Sequence, residues 1–298
     1  MPGMVYFAFA LLFSAPFAGA AADSPKTIRV GVMKGGLLVI EKVILDDYVK
    51  RILPNEVSPG WPPEALKAQA VASRTFALRS LNRHQSQGYN LCATVHCQVF
   101  GGLESEADTT NQAVDDTHNE ILLYKDKPAG TFFFSNCGGR TADPADVWNN
   151  SESPPYLKPI RCKFCKSGKH HEWEASLSED DLVAALVRSH FSVVPPLRSI
   201  RTDFKGGRAK TVWVRHAGGE TQMISGKFRA AVGANLIRSA YFTKIKKVRD
   251  GFEFRGKGWG HGVGLCQEGA NGMALQGWRY KKILKFYYPG TNLQKYDD

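Results

Sequence analysis

The segment from Trp61 to Leu78 reads "WPPEALKAQAVASRTFAL" and constrains the fold more than any other part of the chain. Prolines suit the first turn of a helix, and the small residues that follow allow neighbouring elements to approach closely. The pattern predicts one long helix near residues 62–83. Lys67 and Arg74 lie two turns apart on one face of this helix, which is either a solvated face or a surface that binds an anion.

A single carboxylate precedes this helix in the stretch "LPNEVSPG". Glu56 lies between Pro54 and Pro59, so the pattern predicts a turn-rich loop held against a rigid helix. Loops of this kind often carry functional residues. An ordinary exposed surface glutamate is the alternative interpretation.

The remaining elements predict an α+β fold. A hairpin around Gly35-Gly36 leads to a short helix over Leu45–Ile52, and a regular βαβ alternation is missing, which argues against a doubly wound sheet. The segment from about Glu174 to Arg249 is a candidate subdomain. Strands are predicted in "EILLY", "GTFFF", "TVWVRH" and "FEFRG", and further helices over Glu179–Ser189, Ala270–Leu275 and Tyr280–Phe286.

Residues 1–22 are predicted to be a secretory signal peptide. They are apolar from Met4 to Phe17 and end in the small residues Ala18-Gly19-Ala20. Because no Lys or Arg precedes the apolar run, an uncleaved anchor is the alternative. The prediction is export to the periplasm or cell envelope, with no transmembrane segment after cleavage.

The 298-residue chain carries a formal net charge of +11. In an exported protein this charge favours an anionic partner outside the membrane, such as a cell-wall polymer or the membrane surface, over nucleic acid. Because the basic residues are scattered along the sequence, a role in solubility alone is the alternative.

Six cysteines in an exported chain indicate disulfides or metal sites. His84, Cys92, His96 and Cys97 form a ligand set that suits tetrahedral zinc, and a Cys92–Cys97 disulfide is the competing interpretation. Such a zinc would be structural, so no cofactor is required for chemistry.

A second group contains Cys162, Cys165, His170 and His171. Export favours a disulfide between its two cysteines over a zinc site. Cys266 is predicted to be a small buried hydrophobic residue.

Four ordered segments resemble the SpoIID/LytB family of bacterial proteins, over residues 27–293. They are "ILPNEVSPGWPPEALKAQAVASRTFAL", "HCQVFGG", "SNCGGRTADPADVW" and "GWGHGVGLCQEGANGMALQGWRYKKILKFYYPGT". The resemblance implies a cell-wall protein that acts on peptidoglycan glycan strands. Its sporulation members imply a lytic transglycosylase that cuts strands lacking stem peptides. Its LytB-type members imply the alternative, a non-catalytic wall-binding enhancer of an amidase.

The resemblance also assigns site residues. It places the catalytic glutamate at Glu56, although Asn55 stands where many relatives have alanine. The substrate-binding positions that it implies are Lys67, Arg74, Ser135, Gly138, Gly139, His261 and Gln267.

A lytic transglycosylase needs only one carboxyl group, because the sugar's own 6-hydroxyl attacks and forms a 1,6-anhydromuramic product. That carboxyl must be protonated at rest, so an apolar setting has to raise its pKa. Lys67 and Arg74 could bind the lactyl carboxylate of peptide-free muramic acid. Since nearby cations would lower the pKa of Glu56, we expect at least one of them to lie apart or to be paired with an acid. His261 is expected to orient substrate, move a proton, or hold backbone.

Overall fold

The structure is a computed structural model that describes residues 26–148, 152–203 and 207–296. It confirms the predicted α+β class. The predicted signal segment, residues 1–22, lies outside the described residues. The helices are α1 (Leu45–Glu56), α2 (Pro63–Arg79), α3 (Asp108–Asp115), α4 (Pro144–Val147), α5 (Glu179–Arg188), α6 (Ser225–Val232), α7 (Gln267–Leu275) and α8 (Tyr280–Tyr287).

The strands form small separate sheets, most of them antiparallel. The strands are β1 (Thr27–Lys34), β2 (Leu37–Ile44), β3 (Leu91–Cys92), β4 (Glu120–Tyr124), β5 (Lys127–Pro128), β6 (Phe133–Phe134), β7 (Glu172–Ser178), β8 (Leu197–Thr202), β9 (Thr211–His216), β10 (Gly219–Ile224), β11 (Phe242–Val248), β12 (Gly251–Lys257), β13 (Leu265–Cys266) and β14 (Asn292–Lys295). The orders of the strands in the sheets are β2-β1-β3, β14-β4-β5, β13-β6, β11-β12-β7 and β10-β9-β8.

The predicted hairpin is the β1–β2 pair, which turns at Gly35 and Gly36. Both glycines have positive φ, 56° and 83°, which suits a two-residue hairpin turn. The hairpin leads directly into α1, as predicted, but α1 continues to Glu56 instead of ending at Ile52. The predicted strand in "GTFFF" shortens to β6, because only Phe133 and Phe134 pair with β13.

Helix α2 is buried at every residue from Ala68 to Leu78. It contributes Ala68, Val71 and Ala72 to one apolar core, and Leu66, Ala70 and Ala77 to a second core under the β1–β2 hairpin. The small side chains of α2 allow this double burial, because the two cores can pack closely against opposite faces of the helix. The helix ends at Arg79 rather than at residue 83, since the Ser80 N–H turns back to the carbonyls of Phe76 and Ala77.

A third apolar core lies between Trp173 and Phe254 and is built by β7 to β12 with α5 and α6. Aromatic side chains such as Phe228, Phe242 and Phe254 pack against one another at its centre. This core overlaps the candidate subdomain of residues 174–249, whose independence stays a prediction.

Among the described residues, the helices are all too short or too polar to cross a membrane.

Arg74 is fully buried in the middle of α2. Its Nε donates to Asp46 Oδ1 at 2.6 Å, and its two terminal nitrogens donate to the carbonyls of Glu120 and Val114. The second oxygen of Asp46 lies 2.6 Å from Nδ1 of His118. The guanidinium therefore joins α1, α3 and β4, and the prediction that it grips a substrate carboxylate is wrong, because it has no access to substrate.

Replacing Arg74 with Met should destabilise the protein by about 3–5 kcal/mol, because the change leaves the mostly buried Asp46 carboxylate without its arginine partner. Urea unfolding would measure this loss. Arg79→Met, on the exposed end of the same helix, is the matched control and should stay within about 0.5 kcal/mol of wild type. Equal stabilities of the two variants would contradict the structural role of Arg74.

Candidate active site

Glu56 is the last residue of α1, so the prediction of a turn-rich loop is wrong. Pro54 is accommodated inside the last turn, and the N–H of Val57 still bonds to the Leu53 carbonyl at 3.0 Å. A helix end fixes the direction of the glutamate side chain more firmly than a loop would. The Val99 N–H, from a distant segment, donates to Oε1 of Glu56 at 2.9 Å.

The surroundings of Glu56 favour its protonated form. Burial raises the pKa of its carboxyl above the usual value, although the Val99 N–H and the Gln267 side chain pull it down. Leu53 and Val57, buried on either side of it in the sequence, provide part of the apolar setting. The direction of the shift is the one that a general acid needs.

Two cavities meet at Glu56. The larger has a volume of about 740 Å³ and the smaller about 310 Å³. Glu56, Ser135 and Gln267 line both of them. An extended ligand that filled both cavities would pass over the Glu56 carboxyl.

Aromatic rings form much of the larger cavity. Trp148 packs on the rings of Phe132 and His261 at centroid distances of 4.8 and 5.2 Å. Apolar faces with a few polar groups between them are typical of ligand sites. The aromatic residues that line this cavity are Phe76, Phe132, Phe133, Phe134, Trp148 and Trp259.

His261 lines the larger cavity but has no free ring nitrogen. Nδ1 accepts from the Val263 N–H at 3.0 Å, which leaves Nε2 to donate to the Phe133 carbonyl at 3.0 Å. Burial and the nearby charge of Arg208 lower the pKa of the imidazole to about 3. Of the three expected roles of His261, these hydrogen bonds fit the structural one, in which the side chain holds the backbone in place. They leave no ring nitrogen for proton transfer.

The other expected substrate-binding residues divide into two groups. Ser135 and Gln267 lie beside Glu56, and the Nε2 of Gln267 is buried without a hydrogen-bond partner in the described part of the chain. Gly138 and Gly139 instead form the turn beyond Ser135, where an added Cβ at Gly138 would clash with Lys257. Their positive φ values, 68° and 104°, explain the glycines without any contact to a ligand.

Lys67 does not line either cavity. Its ammonium pairs with Asp116 at 2.8 Å and lies 3.8 Å from Glu64. Arg74 is paired with Asp46. We expected at least one of Lys67 and Arg74 to lie apart from Glu56 or to be paired with an acid, and both are paired with an acid. Sequence reasoning missed both arginines that line the larger cavity. Arg83 is exposed and follows the end of α2, whereas Arg229 lies in α6 and donates to the carbonyls of Ile237 and Arg238.

A second carboxyl group, that of Glu268, lines the smaller cavity together with Glu56. It accepts a hydrogen bond from the Asn136 side chain, and burial raises its pKa. Asp143 lies elsewhere: it accepts from the Ala145 N–H at the start of α4 and pairs with Lys158 at 3.1 Å. Asp143 therefore caps α4 and fixes the turn before it.

His84, Cys92, His96 and Cys97 converge beside the larger cavity, and their ligand atoms all lie within 4.8 Å of one another. Burial raises the pKa of the Cys92 thiol, but hydrogen bonds with Thr94, His96 and Cys97 outweigh it and lower the pKa to about 6. Four protein ligands would complete a tetrahedral zinc shell, the arrangement of a structural ion, whereas a catalytic zinc keeps one position open. Nδ1 of His84 is bonded to Gln87, as an orienting outer contact would be.

The favoured disulfide between Cys162 and Cys165 is not formed, and all six cysteines are free thiols. The fold instead brings Cys137 to Cys165, with 3.3 Å between the sulfurs, and places Cys266 in the same group. Cys266 is buried, as predicted, but it has other sulfurs as neighbours. These residues are distant in sequence, so their spacing gave no signal.

Comparison with known proteins identifies the same family as the sequence segments. The SpoIID family model, described as "Stage II sporulation protein", matches residues 33–124. An uncharacterized protein of Brachyspira hyodysenteriae is 38% identical over 265 residues, which cover 88% of this chain and 69% of that protein. The chain belongs to the SpoIID family. Its resemblance to this family is thereby confirmed.

Two Bacillus subtilis relatives carry functional names. The stage II sporulation protein D is 27% identical, with 94% of this chain and 82% of the relative aligned. The amidase enhancer is 29% identical over 83% of this chain, but only 40% of the enhancer is covered. The two cavities that meet at Glu56 form one cleft in this SpoIID-family chain. The matched family region contains Glu56 and Phe76 of α2, which line this cleft.

Glu56→Gln should change the pH dependence of stability in a defined direction. A raised pKa in the folded state means that folding takes up a proton, so the wild type loses stability as pH rises from the ordinary glutamate value through the raised one. The variant lacks this loss, and its free energy of unfolding relative to wild type should increase across that window and level off above it. Urea unfolding at a series of pH values, with exposed Glu104→Gln as control, measures it. A difference that does not vary with pH would refute the apolar setting of Glu56.

Proposed function

We propose that this SpoIID-family protein is a peptidoglycan lytic transglycosylase that cleaves glycan strands lacking stem peptides. The observation that carries the proposal is the position of Glu56. Its carboxyl has a raised pKa and lies where two cavities meet, and an acid placed between two halves of an extended site can protonate a bond within a polymer.

The chemistry needs one residue in two protonation states. Glu56 donates its proton to the glycosidic oxygen as the bond between that oxygen and the anomeric carbon breaks. The 6-hydroxyl of the same muramic acid then forms a bond to the anomeric carbon and gives its proton to the Glu56 carboxylate. The products are a new 4-hydroxyl end and a 1,6-anhydro end, and Glu56 is protonated again.

The neighbours of Glu56 support both states. The Val99 N–H, 2.9 Å from Oε1, holds the carboxyl in place and stabilises the transient carboxylate. The unpartnered Nε2 of Gln267 is available to the carboxylate or to a sugar oxygen. Trp148 and Trp259 offer flat apolar faces on which a sugar ring can stack.

Preference for peptide-free glycan requires a cation in the cleft, because removal of the stem peptide exposes a lactyl carboxylate. Arg83 is the residue that we assign to this role in place of Arg74, since it is exposed and lines the larger cavity, whereas Arg229 in the same cavity donates to backbone carbonyls. The nearby His84, Cys92, His96 and Cys97 would hold a structural zinc that fixes this wall without entering the reaction. The proposal places the protein in the cell envelope after export.

The decisive experiment incubates the purified protein with peptide-free glycan and determines the product ends by mass spectrometry. Wild type should yield 1,6-anhydromuramic ends, and Glu56→Gln should lower the rate by about 10²- to 10⁴-fold, the usual contribution of a general acid. Glu104→Gln, an exposed glutamate of the following segment, should be fully active. Reducing ends in place of anhydro ends would identify a hydrolase, with Glu268 as its second carboxylate, and would overturn the proposal.

The role of Arg83 has its own test. Arg83→Ala should reduce kcat/KM by about 10- to 100-fold on peptide-free glycan, the scale of one charge-assisted hydrogen bond. The loss should be smaller on glycan that retains its peptides, where the lactyl group is an amide. Arg79→Ala provides the matched control, because it removes an exposed arginine one turn earlier that does not line this cavity. Equal losses on both substrates would exclude recognition of the lactyl carboxylate.

The similarity to the amidase enhancer favours a second candidate function, a non-catalytic wall-binding activator of an amidase. In that case Glu56→Gln would retain wall binding and amidase stimulation, and wild type would release no glycan product. The same product assay, run with and without an added amidase, separates the two functions.

A further inference from the structure

Four thiols from three separate segments meet behind the cleft. Cys137 follows β6, Cys162 and Cys165 lie in the loop before β7, and Cys266 precedes α7. Their sulfur atoms all lie within 4.8 Å of one another, and none of the four residues is more than 1% exposed.

We propose that Cys137, Cys162, Cys165 and Cys266 bind one Zn²⁺ ion as a tetrathiolate, a structural site separate from the His84, Cys92, His96 and Cys97 group. Tetrahedral zinc with Zn–S bonds of about 2.3 Å requires sulfurs about 3.8 Å apart. The observed sulfurs lie near that spacing, so small rotations of the side chains would suffice. Sulfurs this close enclose space for one ion rather than for a cluster of several iron atoms.

Hydrogen-bond donors point at these sulfurs. The N–H groups of Cys137 and Gly269 donate to the Cys266 sulfur at 3.2 and 3.3 Å. The Tyr287 hydroxyl lies 3.2 Å from the Cys162 sulfur. Such outer contacts orient metal-bound thiolates and stabilise their charge. A sulfur within a disulfide is a weaker acceptor, so the donors favour thiolate over two disulfides.

The charge around the cluster also fits. Four thiolates and one Zn²⁺ carry a net charge of −2. Arg208 lies beside the cluster, partly buried, and its guanidinium donates to the carbonyls of Asn136, Cys137 and Gly260. In the described ranges, no carboxylate lies within 4 Å of the Arg208 guanidinium. Arg208 does line a surface cavity that is also lined by Asp143, Asp146 and Asp203. A cation withdrawn from water needs a negative partner, which the tetrathiolate would provide.

The position of the cluster links it to the cleft. Ser135 precedes Cys137 by two residues, and Gln267 directly follows Cys266. An ion bound here would fasten both segments to the 162–165 loop and so fix two cavity-lining residues against Glu56. The site would therefore position the cleft without touching substrate.

Metal analysis of the full chain tests the inference without any activity assay. Cys92→Ser combined with Cys97→Ser removes the other thiol site, and this background protein should retain one zinc per chain. Adding Cys137→Ser should reduce zinc to none, whereas adding Met273→Leu, a conservative change in the same buried core, should leave it unchanged. Retention of one zinc in the Cys137→Ser protein would refute the assignment.

A second measurement covers the case in which the Cys137 variant fails to fold. Cobalt exchanged into the folded background protein should give the absorption of a four-thiolate tetrahedral site, and alkylation after denaturation should find all four thiols reduced. Two disulfides, or one iron in place of zinc, would overturn the proposal. Because metal content is read directly, the result does not depend on the catalytic proposal.

Discussion

The ion pair between Arg74 and Asp46 is the interaction on which the arrangement of residues 45–124 depends. A guanidinium at the centre of a buried helix must have every donor directed at an acceptor, and those acceptors come from α1, α3 and β4. Since breaking one partner would leave the others buried and unsatisfied, the pair fixes the relative positions of these elements. Helix α1 ends at Glu56, so the same pair sets the angle from which the glutamate enters the cleft.

The two basic residues of α2 add no net charge to the cleft around the Glu56 carboxyl. Lys67 and Arg74 are neutralised by Asp116 and Asp46, and neither lines the cavities around Glu56. Burial therefore outweighs the Val99 N–H and the nearby Gln267 side chain, which lower the pKa of Glu56. The exposed Arg83 is placed where it can attract an anionic glycan while solvent screens its effect on the acid. A protonated acid and a basic protein surface can coexist in this way.

The two cysteine groups flank the cleft from opposite segments of the chain. The His84, Cys92, His96 and Cys97 group lies next to the larger cavity. The four-cysteine group lies under the segments that carry Ser135 and Gln267. Short strands such as β6 and β13, with two residues each, provide few ladder hydrogen bonds to hold these segments. Metal cross-links behind them would compensate for the missing sheet structure.

The sequence by itself determined the local elements and the family. Prolines at Pro62 and Pro63 and the small residues after them specified α2, Gly35 and Gly36 specified the hairpin, and "LPNEV" indicated Glu56 as a candidate acid. These features depend on neighbours within a few residues. The roles of Arg74, His261 and the cysteines depended on partners that are far apart along the chain. Arg74 acquires Asp46 as partner, and Cys162 acquires Cys137 and Cys266, only when the cores form. Burial and long-range pairing decide whether a charged or sulfur-containing side chain faces substrate or structure, and a linear pattern carries neither.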